Sequence, residues 1–275
     1  MPALPLILSV AVALIVAPPM LRTLADSRLA MENFRGVRLP FPAGTIVVAA
    51  AALAAGPLAL IEELGLADDV LRPETRTIAL YALGVAALGL LDDALGGSPR
   101  GWRGHGAAVL SGGISTGALK AAGSLGLALY ALSGLGYEDG EYLLAAAVLV
   151  LCTNLFNLLD LRPGRSIKAF VALGAGLTLG AWDLDPLWAL GLFAGAAAVV
   201  GAFDLRERAM LGDTGSNLVG ALAGLWIVLT LDTLGQAIAL AIVLAVTIYG
   251  EFRSISSLVE RTPLLRQLDS LGRPA

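Results

Sequence analysis

The sequence predicts an all-α, polytopic integral membrane protein of about nine transmembrane helices, and three observations predict it. Hydrophobic residues make up 57% of the 275-residue chain and charged residues only 15%, against about a quarter charged in an ordinary soluble domain. Mean hydropathy is +0.81. Mainly apolar runs, most of them close to the roughly 20 residues that cross a hydrocarbon core, recur along the chain at about 3–20, 41–61, 77–91, 118–135, 141–158, 167–182, 186–203, 215–231 and 235–252.

Each element has its own justification. The first run, "MPALPLILSVAVALIVAPPMLR", lacks a basic leading region and carries its charges after the apolar stretch, which predicts an uncleaved helix with its N-terminus outside. The second run follows a polar loop, "ENFRGVRLPFPAG". The third is short and ends in "LGLLDDALGG", the fifth ends in "NLFNLLDLRPGRSIK", and the eighth grows out of "LGDTGSN". The 33 glycines suit helices that approach closely through small residues. The single cysteine, Cys152, lies in an apolar run, so a disulfide framework is excluded. After the ninth run, "ISSLVERTPLLRQLDSLGR" mixes Ile255, Leu258, Val259, Leu264, Leu265, Leu268 and Leu271 with Arg and Glu and is interrupted by Pro263. Short amphipathic helices on the inner membrane surface, or packing against the chain's own loops, are the two readings of this tail.

Charge sets the orientation. With the N-terminus outside, 16 of the 18 Lys and Arg fall in inner segments and only Arg72 and Arg76 outside, which satisfies the positive-inside rule. The prediction is a multi-pass protein of the cell membrane. Net charge is −4, with the basic residues spread over membrane-flanking loops, a pattern that does not point to nucleic acid. No periodicity fixes an oligomeric state, and a homodimer is left open.

The polar motifs all sit where apolar runs meet inner loops, so they are expected to converge on the cytoplasmic face. Asp92 and Asp93 follow the third run directly. Adjacent carboxylates repel and call for a cation, a proton or a basic neighbour, and charges held near a bilayer are costly enough to suggest function. The outer pair Asp68 and Asp69, in the charged loop "EELGLADDVLRPE", reads instead as solvated. Asn154, Asn157 and Asp160 at i, i+3 and i+6 share one helix stripe, to bind a ligand or to hold a neighbouring helix. Arg162, Arg165 and Lys168 follow, with charge suited to phosphate. Gly212 and Gly215 allow tight backbone around Asp213, which is placed either to cap a helix or to offer oxygen to Mg²⁺, a hard cation. Arg35 and Arg38, with Arg100 and Arg103, are candidates to gather anionic headgroups or simply to anchor at the inner leaflet. His105 is the only histidine, and lies in the loop "RGWRGHG".

"LLDD", "CTNLFNLLD" and "GDTGSN", in this order on inner loops, resemble the signature of the polyprenyl-phosphate N-acetylhexosamine-1-phosphate transferases, the phospho-N-acetylmuramoyl-pentapeptide transferase-like family. "ENFRGVRLPFPAG" falls where that family has its first inner-loop motif, so the resemblance covers most of the chain. It implies a transmembrane catalytic domain over 1–252 with a cytoplasmic amphipathic tail over 253–275. The implied reaction moves a sugar 1-phosphate from a UDP-sugar to polyprenyl phosphate in the inner leaflet and releases UMP, as in cell-envelope polysaccharide or peptidoglycan precursor synthesis. Carried over by position, Asp213 and Asn157 match Mg²⁺ ligands, Asp92 and Asp93 the aspartate pair implicated in the lipid phosphate and catalysis, and Asp160 an aspartate at the nucleotide pocket, so Asp92, Asp93 and Asp160 are the catalytic candidates. Asn154, Arg162, Arg165, Lys168, Arg35, Arg38 and His105 are the remaining candidates for substrate binding. The chain departs from the family at Pro163, where a second aspartate often follows, and it lacks the histidine-rich late inner loop. It also has nine runs where the best-known members have ten spans. The readings from another class are a transporter or a non-catalytic lipid-phosphate-binding membrane protein. The sequence lacks the paired broken helices that mark transport sites.

Overall fold

The computed structural model describes residues 1–95 and 116–274. Within them the chain is helical except for one small hairpin. The helices are α1 (Leu4–Ala25), α2 (Gly44–Glu63), α3 (Thr75–Leu95), α4 (Thr116–Leu132), α5 (Asp139–Leu159), α6 (Arg165–Ala181), α7 (Asp185–Leu205), α8 (Gly212–Thr230), α9 (Thr233–Phe252), α10 (Ile255–Arg261) and α11 (Pro263–Ser270). Strands β1 (Met31–Glu32) and β2 (Arg38–Leu39) pair antiparallel between α1 and α2.

Each of the nine predicted apolar runs falls on one of α1 to α9. Six of these helices, α1, α2, α3, α5, α7 and α9, are long and apolar enough to cross a membrane. The other three differ for visible reasons: α4 and α6 are 17 residues long, and α8 opens with the polar stretch from Gly212 to Asn217.

Helix α8 is the axis of the bundle, buried along nearly its whole length and packed against α2, α3, α5, α6 and α7. Glycines set how closely. A Cβ on Gly220 would lie 2.7 Å from the Cys152 carbonyl oxygen and the Thr153 Cα of α5, so these two helices meet backbone to backbone. At the start of α8, a Cβ on Gly89 of α3 would come within 2.6 Å of the Asp213 carbonyl carbon and 2.7 Å of the Thr214 nitrogen. Gly44 of α2 abuts Thr214 and Gly215 in the same way. The first turn of α8 is therefore enclosed by backbone on two sides.

The bundle has two distinct ends. At one, the Met1 amine donates to the Asp68 carbonyl, Arg72 pairs with Asp185, and Thr233 donates to Glu141 at 2.8 Å. At the other, the hairpin turns on Asn33, whose Oδ1 accepts the amides of Arg35 (2.8 Å) and Val37 (3.0 Å). The segment from Pro40 to Gly44 is bonded to the stretch before α8: Met210 N to Pro40 O at 3.0 Å, Ala43 N to Met210 O at 2.8 Å and Gly44 N to Leu211 O at 2.9 Å. The tail returns to this same end. Pro263 starts α11, as its missing N–H permits at a helix's first position. The tail packs on the chain's own loops, while Leu264, Leu265, Leu268 and Leu271 stay exposed.

Close approach at Gly89 yields a direct check. Gly89→Ala should destabilise the folded protein by about 1–3 kcal/mol or more, because backbone cannot move aside as a side chain can. Gly126→Ala, where nothing lies within 4 Å of the added carbon, should not. Thermal unfolding in detergent separates the two, and equal midpoints would contradict the packing described.

Candidate functional site

A cleft of about 850 Å³ opens at the hairpin end of the bundle, between α3, α4, α5 and the start of α8, with Phe34, Asp160, Arg162 and Asp204 in its walls. Its chemistry is set by how four helix ends meet.

The last turn of α3 carries Asp92 and Asp93, and consecutive helical residues point about 100° apart. Asp93 turns toward α8. Its Oδ1 accepts the Asp213 amide at 2.9 Å, and its Oδ2 accepts the Thr214 amide at 2.8 Å and the Thr214 hydroxyl at 2.6 Å. A carboxylate here satisfies amides that a helix N-terminus leaves unpaired and complements its positive dipole end. Gly212 makes room for it. Its φ of +71° is a left-handed conformation, and a Cβ there would sit 2.8 Å from Asp93 Oδ2 and from Phe41, and 2.6 Å from Pro42.

Asp92 turns into the cleft, where Lys120 of α4 donates to its Oδ2 at 2.6 Å. The same ammonium also donates to Asp213. Asn157 of α5 completes the cluster, with its amide nitrogen donating to Asp213 Oδ1 at 3.1 Å and its oxygen accepting from Lys120 at 3.3 Å. One cation is thus held by accepting oxygens from three helices, α3, α5 and α8. Among the described residues no group of three or more His, Cys, Asp or Glu is gathered as a metal cluster; the arrangement is a mixed one of two carboxylates, an amide and an ammonium.

Asp160 follows the last turn of α5, its amide on the Asn157 carbonyl at 3.2 Å. Burial first, then the nearby charges of Asp204, Asp213 and Asp93, push its carboxyl well above the usual range. Asp204, at the end of α7, accepts the Gly164 amide at 2.6 Å and so pins the "LRPG" loop. Asn154 lies exposed in the cleft wall, one turn before Asn157.

The basic candidates divide. Arg162 lines the cleft, with its guanidinium 4.4 Å above the Phe34 ring centroid and 3.8 Å from Glu260. Arg165 and Lys168, expected to face phosphate, face the tail instead. Arg165 grips Asp269 with Nε at 2.9 Å and Nη2 at 3.1 Å, and Lys168 donates to the carbonyls of Leu268 (3.1 Å), Asp269 and Leu271 (3.3 Å). The reason is electrostatic: the C-terminal carbonyls of α11 attract a cation, and the Asp269 carboxylate offers a bidentate match to guanidinium. Burial works against the charge on Asp269, but its bonds to Arg165 and the nearby Arg273 hold the carboxyl below its ordinary value. Arg35 pairs with Glu207 at 3.1 Å and donates to the Pro274 carbonyl at 3.2 Å. Arg38 is exposed on β2, donating to Ser27 O at 3.4 Å. His105, Arg100 and Arg103 lie outside the described residues.

The structure therefore brings Asp92, Asp93, Asn157, Asp160 and Asp213 together, with Asn154 and Arg162 beside them. Lys120 is the residue that sequence reasoning missed, having been counted only as a membrane-flanking charge. Its signal was present: a lone ionisable residue inside "TGALKAAGSLGLALYAL" needs a partner. Asp204 and the Asp269–Arg273 pair were missed as well, and the i, i+4 spacing of the latter is a helix ion-pair pattern.

The two adjacent aspartates should separate in stability. Asp93→Ala orphans two amides and a hydroxyl and should cost several kcal/mol, at about 1–3 kcal/mol for each buried group left unpaired. Asp92→Ala leaves Lys120 still paired with Asp213 and should cost less. Equal losses of thermal stability in detergent would contradict the division of roles. No protein-family model matches the chain, and no curated protein matches it.

Proposed function

We propose that the chain is a Mg²⁺-dependent membrane transferase of the polyprenyl-phosphate N-acetylhexosamine-1-phosphate transferase type, moving a sugar 1-phosphate from a UDP-sugar to polyprenyl phosphate. The observation that carries this reading is the convergence of Asp92, Asn157 and Asp213 on one cation position at the Lys120 ammonium, from three motifs 56 to 65 residues apart in sequence. A site of oxygen donors that already surrounds a cation fits a hard divalent ion. Asp213 and Asn157 would hold Mg²⁺, whose chemistry is to neutralise a pyrophosphate and the charge growing on departing UMP.

The chain's own residues account for the rest. An oxygen of the acceptor phosphate attacks the sugar-bearing phosphorus of the donor, and the bond to the UMP phosphate breaks. Asp92 lies where it can orient the acceptor phosphate or take a proton from it. With the ion in that position the Lys120 ammonium would swing out of it and offer a second positive contact to phosphate oxygens. Asp93 acts through the start of α8, fixing the amides around Asp213 rather than touching substrate. Arg162, above Phe34 at the rim, supplies a guanidinium for the donor's phosphates or base. In this reading α4, α6 and α8 cross the bilayer together with the six longer apolar helices, and the site end faces the cytoplasm, since among the described residues Arg72 and Arg76 are the only Lys or Arg at the other end.

Purified protein with a UDP-sugar, polyprenyl phosphate and Mg²⁺ should release UMP and form a lipid-linked pyrophosphoryl sugar. Binding of polyprenyl phosphate without any UMP release would instead favour the non-catalytic lipid-phosphate-binding reading. Asp213→Asn should insert and fold normally, since Asn caps a helix about as well as Asp, yet lose about 100-fold or more in turnover. Asn157→Ala should raise the Mg²⁺ concentration needed for half-maximal rate. Near wild-type activity of Asp213→Asn at limiting Mg²⁺ would remove the metal assignment.

Orientation is tested separately. Single cysteines at Leu161 and Arg206, in a chain with Cys152 replaced by Ser, should resist an impermeant thiol reagent in intact cells and react after permeabilisation. Labelling from outside would reverse the proposed sidedness.

A further inference from the structure

The tail is fastened to the loop that carries Asp160 and Arg162, and the fastening is built from specific donors. Asp269 is shared by two guanidiniums: Arg165, as above, and Arg273 through Nη1 at 3.1 Å and Nη2 at 2.9 Å. The side chains of Arg165 and Arg273 are 8% and 13% exposed, and that of Asp269 is 14%, so the trio is a buried unit and not a solvent-screened surface pair. Arg273 has a further bond, from Nε to the Pro163 carbonyl at 2.8 Å. This contact falls in the middle of the "DLRPGR" loop. Glu260 reaches Arg162 from the same tail at 3.8 Å. On the opposite side the loop is held by Asp204 through the Gly164 amide, and Leu205 lies against both Gly164 and Gly272. Gly164 and Gly272 both have left-handed φ, +70° and +75°, which lets loop and tail bend around Leu205 without side chains of their own in the way.

We propose that Asp269, Arg273 and Arg165 form a positioning strap, which fixes the α5–α6 loop so that Asp160 and Arg162 are presented to the cleft in the geometry that binds the nucleotide-sugar donor. The inference rests on the transferase reading. Polyvalent fastening of a short loop raises the fraction of molecules already in the competent arrangement, and apparent affinity scales with that fraction. The strap acts on donor binding, because the loop it holds carries donor-side residues, while Asp92, Lys120 and Asp213 are fixed by other helices. None of the three strap residues touches the reacting atoms.

The test uses the full chain with UDP-N-acetylglucosamine and UDP-N-acetylmuramoyl-pentapeptide as donors and polyprenyl phosphate as acceptor. Asp269→Asn should raise the donor KM by about tenfold, the loss expected if the competent fraction falls to a tenth, with kcat within about threefold of wild type. Asp269→Glu should recover most of the loss. Arg273→Lys keeps the charge but removes the Nε donor to Pro163, and should raise the donor KM in a chain that folds even if Asp269→Asn does not. In an Arg162→Ala background, Asp269→Asn should add clearly less than its full factor, since the part relayed through Arg162 is already lost and effects within one network are not additive. An unchanged donor KM, or an equal fold-loss in both backgrounds, would overturn the strap.

Hydrogen exchange of the 160–168 segment tells failure of the strap from failure of the transferase reading. Exchange there should be about tenfold faster in Asp269→Asn, as expected if the open fraction rises by that factor. Unchanged exchange overturns the strap whatever the activity. Faster exchange in a protein whose wild type releases no UMP from either donor overturns the transferase reading, and with it the positioning role.

Discussion

The first turn of α8 is the point on which the rest of the structure depends, and the Asp93 carboxylate is what holds it. A helix start deep in a bundle exposes amides that no water can satisfy, and each unsatisfied one costs as much as a lost hydrogen bond. Asp93 accepts two of these amides and the Thr214 hydroxyl from a different helix. The bond therefore settles local hydrogen bonding and also the register of α3 against α8. With that register set, Gly89 and Gly44 lie against the Asp213–Gly215 backbone, and Asp213 is delivered to the cleft.

A second constraint is charge. Asp92, Asp93, Asp160, Asp204 and Asp213 lie around one cleft, and carboxylates so placed repel one another. The chain relieves this with one ammonium, Lys120, set between Asp92 and Asp213, and with backbone amides for Asp93 and Asp204. Asp160 takes the remaining route and is shifted toward its neutral form. Opposite charge, amide donors and protonation are three ways a crowded acidic site can be made tolerable, and each is in use around this cleft.

Much of this was legible in the sequence because hydropathy and glycine content act locally. Among the described residues, helices α1 to α9 follow from where apolar runs begin and end, and the junction motifs "LLDD", "NLFNLLD" and "LGDTGSN" mark three of the four helix ends described around the cleft. The fourth, the start of α4, was not legible: the partners of Lys120 lie 28 and 93 residues away in sequence, and nothing near it names them. Arg165 and Lys168 show the same limit from the other side. Their type and spacing suit phosphate, but side-chain type cannot say whether the anion comes from a ligand or from the chain's own tail, and Asp269 is that anion here. The tail's leucines left a surface helix and packing on the chain's own loops both open, and its polar face, through Asp269 and Arg273, decides where it docks.

The adjacent aspartates show why a pair was needed at all. Side chains next to each other on a helix diverge by about 100°, so two neighbours cannot serve one ligand equally. Here the divergence matches two tasks. Asp93 is directed sideways to the α8 amides, and Asp92 is directed across the cleft to Lys120. A single aspartate could hold α8 in place or face the cleft, but not both. Moving one of the two by a turn of α3 would displace its carboxylate by about 5.4 Å along the axis, beyond hydrogen-bond reach of either partner. The doublet is thus the shortest sequence by which one helix end can fix a neighbouring helix and at the same time place a charge in the cavity beside it.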